Sequence, residues 1–146
     1  MKIKVKLRVS KKAYYNHLCE GIINDIKKNT KTQITLKELE DGYAYKKKML
    51  YKKETVYIDM KAGPMEKDKF FIVSYETMDT RCTYSYDFIS QEDVDYVIYT
   101  EDNRYKKETF LNKFGEFKRK IKAKGIQNKA FNNIELTQRY IENKEN

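Results

Sequence analysis

From Tyr43 to Asp102 the chain keeps a period of two, and the breaks in it are only a few residues long. Tyr43 to Tyr51, Thr55 to Lys61, Lys69 to Thr77, Arg81 to Ile89 and Val94 to about Asp102 each alternate apolar with polar residues, as half-buried strands do. The separators "YKKE", "AGPMEKD", "MDT" and "SQED" have turn composition. A parallel crossover needs about a dozen residues or more, so neighbours joined this way must run antiparallel. The stretch therefore predicts a five-stranded meander with one apolar face.

What flanks the meander limits how that face is covered. Ile3, Val5, Leu7 and Val9 alternate with Lys2, Lys4, Lys6 and Arg8, giving one more amphipathic strand over Lys2 to Val9. Ser10 stands at an N-cap position, and from Lys11 to about Lys28 the spacing becomes helical, with Tyr15, Leu18, Cys19, Ile22 and Ile26 on one face. Gly21 inside this helix costs about 1 kcal/mol relative to Ala, which suggests close packing there. "TLKELEDG" carries a capping box, Thr35 to Glu38, and a Gly42 stop. From Lys106 to Asn143 the chain is again helical. Phe110, Phe114, Phe117 and Ile121 form a stripe, Gly125 suggests a break or kink, and Ala130, Ile134 and Ile141 resume the stripe. Residues 140–146 are expected to fray.

The expected fold class is α+β, as one domain over residues 1–146. A curved antiparallel sheet of about six strands packs on a long C-terminal helix, with two short helices after the first strand. In the segment "TRCTYSYDF", Tyr84, Tyr86 and Phe88 share one face of a strand and should look toward that last helix.

This order of elements resembles the helix-grip architecture of START, Bet v 1 and polyketide-cyclase-like proteins. The whole chain is also similar to a family of short proteins of unknown function from low-GC Gram-positive bacteria, through "YYNHLCEGIINDIKKNT", "YSYDF" and "VIYTED". The resemblance implies a fold and a ligand cavity. It implies no catalytic residues.

Charge and composition narrow the function classes. The formal charge is +9, but Lys outnumbers Arg 26 to 5, a poor match to base recognition, where bidentate Arg dominates. Nucleic acid is therefore not the expected partner. The charge is polarised: residues 1–63 carry 16 basic and 7 acidic groups, residues 64–105 carry 4 and 10, and residues 106–146 carry 11 and 5. Such a polarised surface can steer an anionic partner. Cys19 and Cys82 are too few for a disulfide framework, and the first ten residues read as a strand rather than a leader, so a cytoplasmic protein is expected.

Candidate sites follow from the strand phases. Tyr43, Tyr45, Tyr51, Tyr75, Tyr84, Tyr86 and Tyr96 would point inward, with Phe71, Phe88 and Ile98 among their companions. Buried tyrosine hydroxyls need partners, which a wet cavity or an amphipathic ligand supplies and a dry core does not. Tyr45, Tyr75, Tyr84, Tyr86, Phe88 and Tyr96, facing Phe110, Phe114 and Phe117, are the candidate ligand-binding set. The alternative places several of these hydroxyls in water at the sheet rim. Lys47 falls on the same inward phase, where it could meet an acidic ligand unless a bulge turns it outward. Lysines and Arg119 flank the stripe in residues 110–124, a pattern suited to an anionic membrane surface as well as to covering the sheet.

Enzymatic chemistry has little to stand on. His17 is the single histidine, which excludes His-rich metal motifs. His17 and Cys19 lie on different faces of their helix and cannot pair with each other. No phosphate loop or dinucleotide fingerprint is present, and no cofactor or metal is expected. The leading expectation is a non-catalytic binder of a small hydrophobic or amphipathic molecule. A regulatory or adaptor protein with a filled core comes second, and a cyclase- or hydrolase-like enzyme third.

Overall fold

A computed structural model describes residues 1–78, 80–105 and 113–145, leaving the side chains of Tyr51, Tyr105 and residues 113–124 undescribed. Its elements are β1 (Lys2–Lys6), α1 (Lys11–Thr30), α2 (Leu36–Asp41), β2 (Tyr43–Tyr51), β3 (Glu54–Ala62), β4 (Phe70–Glu76), β5 (Thr80–Gln91), β6 (Val94–Tyr105) and α3 (Lys113–Glu145). One six-stranded antiparallel sheet has the order β1-β6-β5-β4-β3-β2. The meander is as the alternation predicts, and β1 joins its far edge along β6. At 20 residues, α1 is no short connector.

Local chemistry sets the joints. The Ser10 hydroxyl accepts the Ala13 N–H at 3.0 Å, and Thr35 accepts that of Glu38 at 3.2 Å. Each such cap is worth about 1 kcal/mol. Lys52–Lys53 and Glu92–Asp93 form two-residue hairpin turns with every φ between 48° and 66°. These are the mirror-image turns that match strand twist, built here without the usual Asn or Gly. The second of them fixes Phe88 opposite Val97 and Ile89 opposite Tyr96.

That register corrects the expected phase of β6. Val97 and Tyr99 are the buried residues, so Tyr96 and Ile98 lie on the outer face, where the Lys4 ammonium sits 4.3 Å from the Tyr96 ring. A slip of one residue exchanges the faces of a whole strand.

Tyr14, Tyr15, Cys19 and Ile26 of α1 bury against the sheet's inner face. On α3, Ala130, Ile134, Gln138 and Ile141 form the buried stripe. The helix passes through Gly125 without a break and runs to Glu145. Phe110 lies outside the described residues, as do the side chains of Phe114 and Phe117, and with them the aromatic stripe and its basic flank.

Gln138, fully buried, docks α3 on β1. Its Oε1 accepts the Arg8 N–H at 2.6 Å and its Nε2 donates to the Lys6 carbonyl at 3.3 Å, imitating a strand partner at the end of β1. Arg8 itself reaches Glu135, and Glu142 at 2.8 Å, but is 43% exposed, so these ion pairs are worth at most about 1 kcal/mol each. Gln138→Leu should therefore lower unfolding free energy by about 1–3 kcal/mol, because two backbone groups lose their partner. Arg8→Ala should cost less, and urea titrations of both variants check the order.

Candidate functional site

The concave face is built from alternate residues of four strands. Cross-strand pairing sets Phe71 beside Tyr86, Val73 beside Tyr84, and Tyr86 beside Tyr99. The rings make a continuous layer: Tyr86–Tyr99 at 5.0 Å between centroids, Tyr75–Tyr84 at 5.7 Å, Phe71–Tyr86 at 5.9 Å, and Tyr84–Tyr99 stacked at 6.4 Å. Opposite this layer, α1 presents His17, Leu18, Gly21, Ile22 and Asp25, one row at helical spacing.

Between helix row and ring layer lies a cleft of about 470 Å³, lined on the sheet side by Met60, Val73, Tyr84, Tyr86 and Tyr99. It shares Lys47, Met60 and Tyr84 with a second space of about 900 Å³ that extends past Val56, Tyr75 and Met78. A small void of about 60 Å³ separates Tyr14, Tyr86 and Tyr99 from Ile134 and Thr137 of α3. Gly21 is not a close-packing glycine: among the described residues a Cβ there would meet nothing within 4 Å. Its missing side chain is part of the empty space.

The sequence-derived candidates separate into three groups. Tyr75, Tyr84 and Tyr86 line these spaces. Phe88 does not; it is buried under α1 against Tyr14 at 5.9 Å and Tyr15 at 6.5 Å. Tyr45 is also core, but its hydroxyl reaches the cleft wall, and Tyr96 is on the wrong face. Tyr99 was not expected on this face, and the α1 row was read as a packing face rather than as a wall of the cleft. For Tyr99 the available signal was the two-residue turn at Glu92–Asp93, and for the row it was the helical spacing of Leu18, Ile22 and Asp25.

One polar cluster interrupts the apolar wall. Lys47 does face inward, its side chain 24% exposed, and its ammonium lies 3.4 Å from Asp25 Oδ2. The Tyr45 hydroxyl donates to the same oxygen at 2.5 Å, and Asn29 Nδ2 donates to Oδ1 at 3.2 Å. Asp25 is the partner that makes an inward lysine tolerable. At the other side, the Tyr99 hydroxyl donates to Glu101 at 3.1 Å.

Burial governs the titrating groups here. It pushes the hydroxyls of Tyr45, Tyr84 and Tyr99 well above the usual tyrosine range, with the Asp25, Tyr75 and Glu101 contacts adding to it, and Tyr86 up to about 12. Cys19 rises to about 11 and Cys82 rises too, so both buried thiols are poor nucleophiles near neutral pH. Burial lowers His17, whose ring lies 5.3 Å from that of Tyr140. Cys19 turns away from the cleft toward Met65. Among the described residues no group of three His, Cys, Asp or Glu side chains could hold a metal, and no helix is long and apolar enough to cross a membrane.

The raised thiol and phenols set the alkaline limit. Each stays protonated in the fold at a pH where the unfolded chain has lost its proton, so stability falls as pH rises. The melting temperature should be flat from about pH 7 to about pH 8.5 and fall steadily above about pH 9.5. Cys19→Ala should flatten part of that fall, and calorimetric scans across this range measure it.

Several solved structures share the architecture. The TTHA0849 protein of Thermus thermophilus aligns with a TM-score of 0.60 and 10% identity, over 100% of this chain and 99% of that one. A protein of unknown function, SA2116 from Staphylococcus aureus, gives 0.58 and 10%, covering 97% and 92%. Ara h 8.0201, a Bet v 1-type fold, gives 0.54 and 8%, covering 97% and 95%. At such identity the likeness is one of fold alone, and it is the helix-grip fold. No curated protein matches the sequence. Residues 1–121 match the family model described as "Domain of unknown function (DUF3284)", and since that is most of the chain, the protein belongs to this family.

Proposed function

We propose that this protein binds a small amphipathic molecule in the cleft between α1 and the tyrosine layer, as a carrier or sensor rather than through a reaction. The observation that carries this reading is the space itself. About 470 Å³ lies under a helix whose facing position is Gly21, and that volume falls within the about 300–1,000 Å³ of small-molecule sites. Packing does not require a glycine at this cleft-lining position, since among the described residues an alanine at Gly21 meets no neighbour and improves helix propensity by about 1 kcal/mol. The lining matches an amphipathic guest. Ring faces and the side chains of Met60, Val73 and Ile22 offer apolar contact, while hydroxyls and the Lys47–Asp25 pair offer polar contact.

The test uses a neutral fluorescent probe, N-phenyl-1-naphthylamine. The protein should bind it saturably with one site. Gly21→Phe should weaken binding at least about tenfold, since Gly21 lines the cleft and a larger side chain there takes up part of its space, and a thermal melt confirms that the variant is folded. Gly21→Ala should keep binding and raise stability by about 0.5–1 kcal/mol. No saturable binding, or binding indifferent to Gly21→Phe, contradicts the proposal.

A further inference from the structure

We infer that the ligand of this cleft carries a single negative charge, a carboxylate on an apolar tail, and that its head sits on the Lys47 ammonium. This deepens the binding reading above and rests on it. The reasoning is an inventory of donors and acceptors where the two spaces meet. Lys47 lines both of them, as do Met60 and Tyr84. An ammonium carries three N–H donors. Among the described residues, the Lys47 ammonium has one partner, Asp25 Oδ2, at a long 3.4 Å. Asp25, in contrast, is well supplied, with Tyr45 at 2.5 Å, Asn29 at 3.2 Å and Lys47 itself. The unfilled capacity at the junction is thus cationic donors, and the group that fills it is an anionic acceptor.

Position supports the same reading. Met60 and Tyr84 border both spaces beside Lys47, so a tail leaving the head can lie along Val73, Tyr86 and Ile22 in the cleft under α1. The lysine's own pairing is loose enough to share, because Asp25 keeps two neutral donors when the ammonium swings toward a guest. The number of charges on the head is limited by its surroundings. Asp25 already shares the Lys47 ammonium, so a dianionic head would bring two charges to a cation that is partly neutralised. A phosphate monoester is the less suitable head for that reason.

The experiment compares dodecanoic acid, dodecanol and dodecyl phosphate, each below its aggregation concentration, as competitors of bound N-phenyl-1-naphthylamine near neutral pH. The acid should compete at least about tenfold better than the alcohol, the gain expected from hydrogen bonds to a charged group, and better than the phosphate. Lys47→Met should remove the acid's advantage over the alcohol, and Lys47→Arg should restore it. Circular dichroism melts of both variants confirm that they are folded. If the acid and alcohol compete equally on the wild-type protein, or Lys47→Met keeps the preference, the head-group inference is overturned while the cleft still binds the probe. If the phosphate competes best, the carboxylate class is wrong. If the probe itself does not bind, both readings fall together.

Discussion

A residue in a β-strand is committed to one face by its parity, so everything this concave surface can do depends on the register with which β6 joins β5. That register is fixed by the Glu92–Asp93 turn, two residues with positive φ that leave no slack between Gln91 and Val94. Phe88 consequently meets Val97, Tyr86 meets Tyr99, and the aromatic layer closes. One residue of slip would present Tyr96 and Ile98 to the interior and carry Tyr99 and Glu101 to the outside. Tyrosine hydroxyl chemistry, cleft shape and the seat of α1 would all change together.

The interior is divided between a packed half and an open half. Toward β1 the core is packed apart from the small void beside Tyr14: Tyr14, Tyr15, Phe88 and Val97 are buried beneath α1, and Gln138 ties α3 to the strand end. Toward β3 and β4 the wall between sheet and helix falls away, and the residues that line it are half-buried tyrosines, Met60 and the Lys47–Asp25 pair. A partly exposed ion pair and hydroxyls with raised proton affinity tolerate water and also tolerate a guest that displaces it. The two halves share one sheet, so the packed half holds the frame on which the open half is kept from collapsing.

The fold was legible where local chemistry speaks for itself. Alternation marked β2 to β5, Ser10 and Thr35 marked two helix starts, and the resemblance to helix-grip proteins named the arrangement. The site was legible only in part. Tyr75, Tyr84 and Tyr86 were placed by parity within strands whose polar phase is unambiguous. Tyr96 was misplaced because both phases of β6 look plausible: Val94, Tyr96 and Ile98 make the more apolar set, whereas the inner set mixes Val97 and Tyr99 with Glu101. Phe88 has the right parity, but α1 covers that end of β5. Lys47 lacked a visible partner because Asp25 is twenty-two residues away and reaches it only through the helix–sheet packing. Gly21 was read as a contact point, although in the fold it is a space.

Nuclear magnetic resonance on protein labelled at methionine methyls and tyrosine rings addresses the inner surface directly, with an amphipathic probe titrated in. A ligand-accessible concave face should show saturable shifts at Met60, Tyr84, Tyr86 and Tyr99, with Tyr96 on the outer face and buried Met65 unchanged. Shifts confined to Tyr96, with the inner residues silent, would contradict a binding cleft beneath α1.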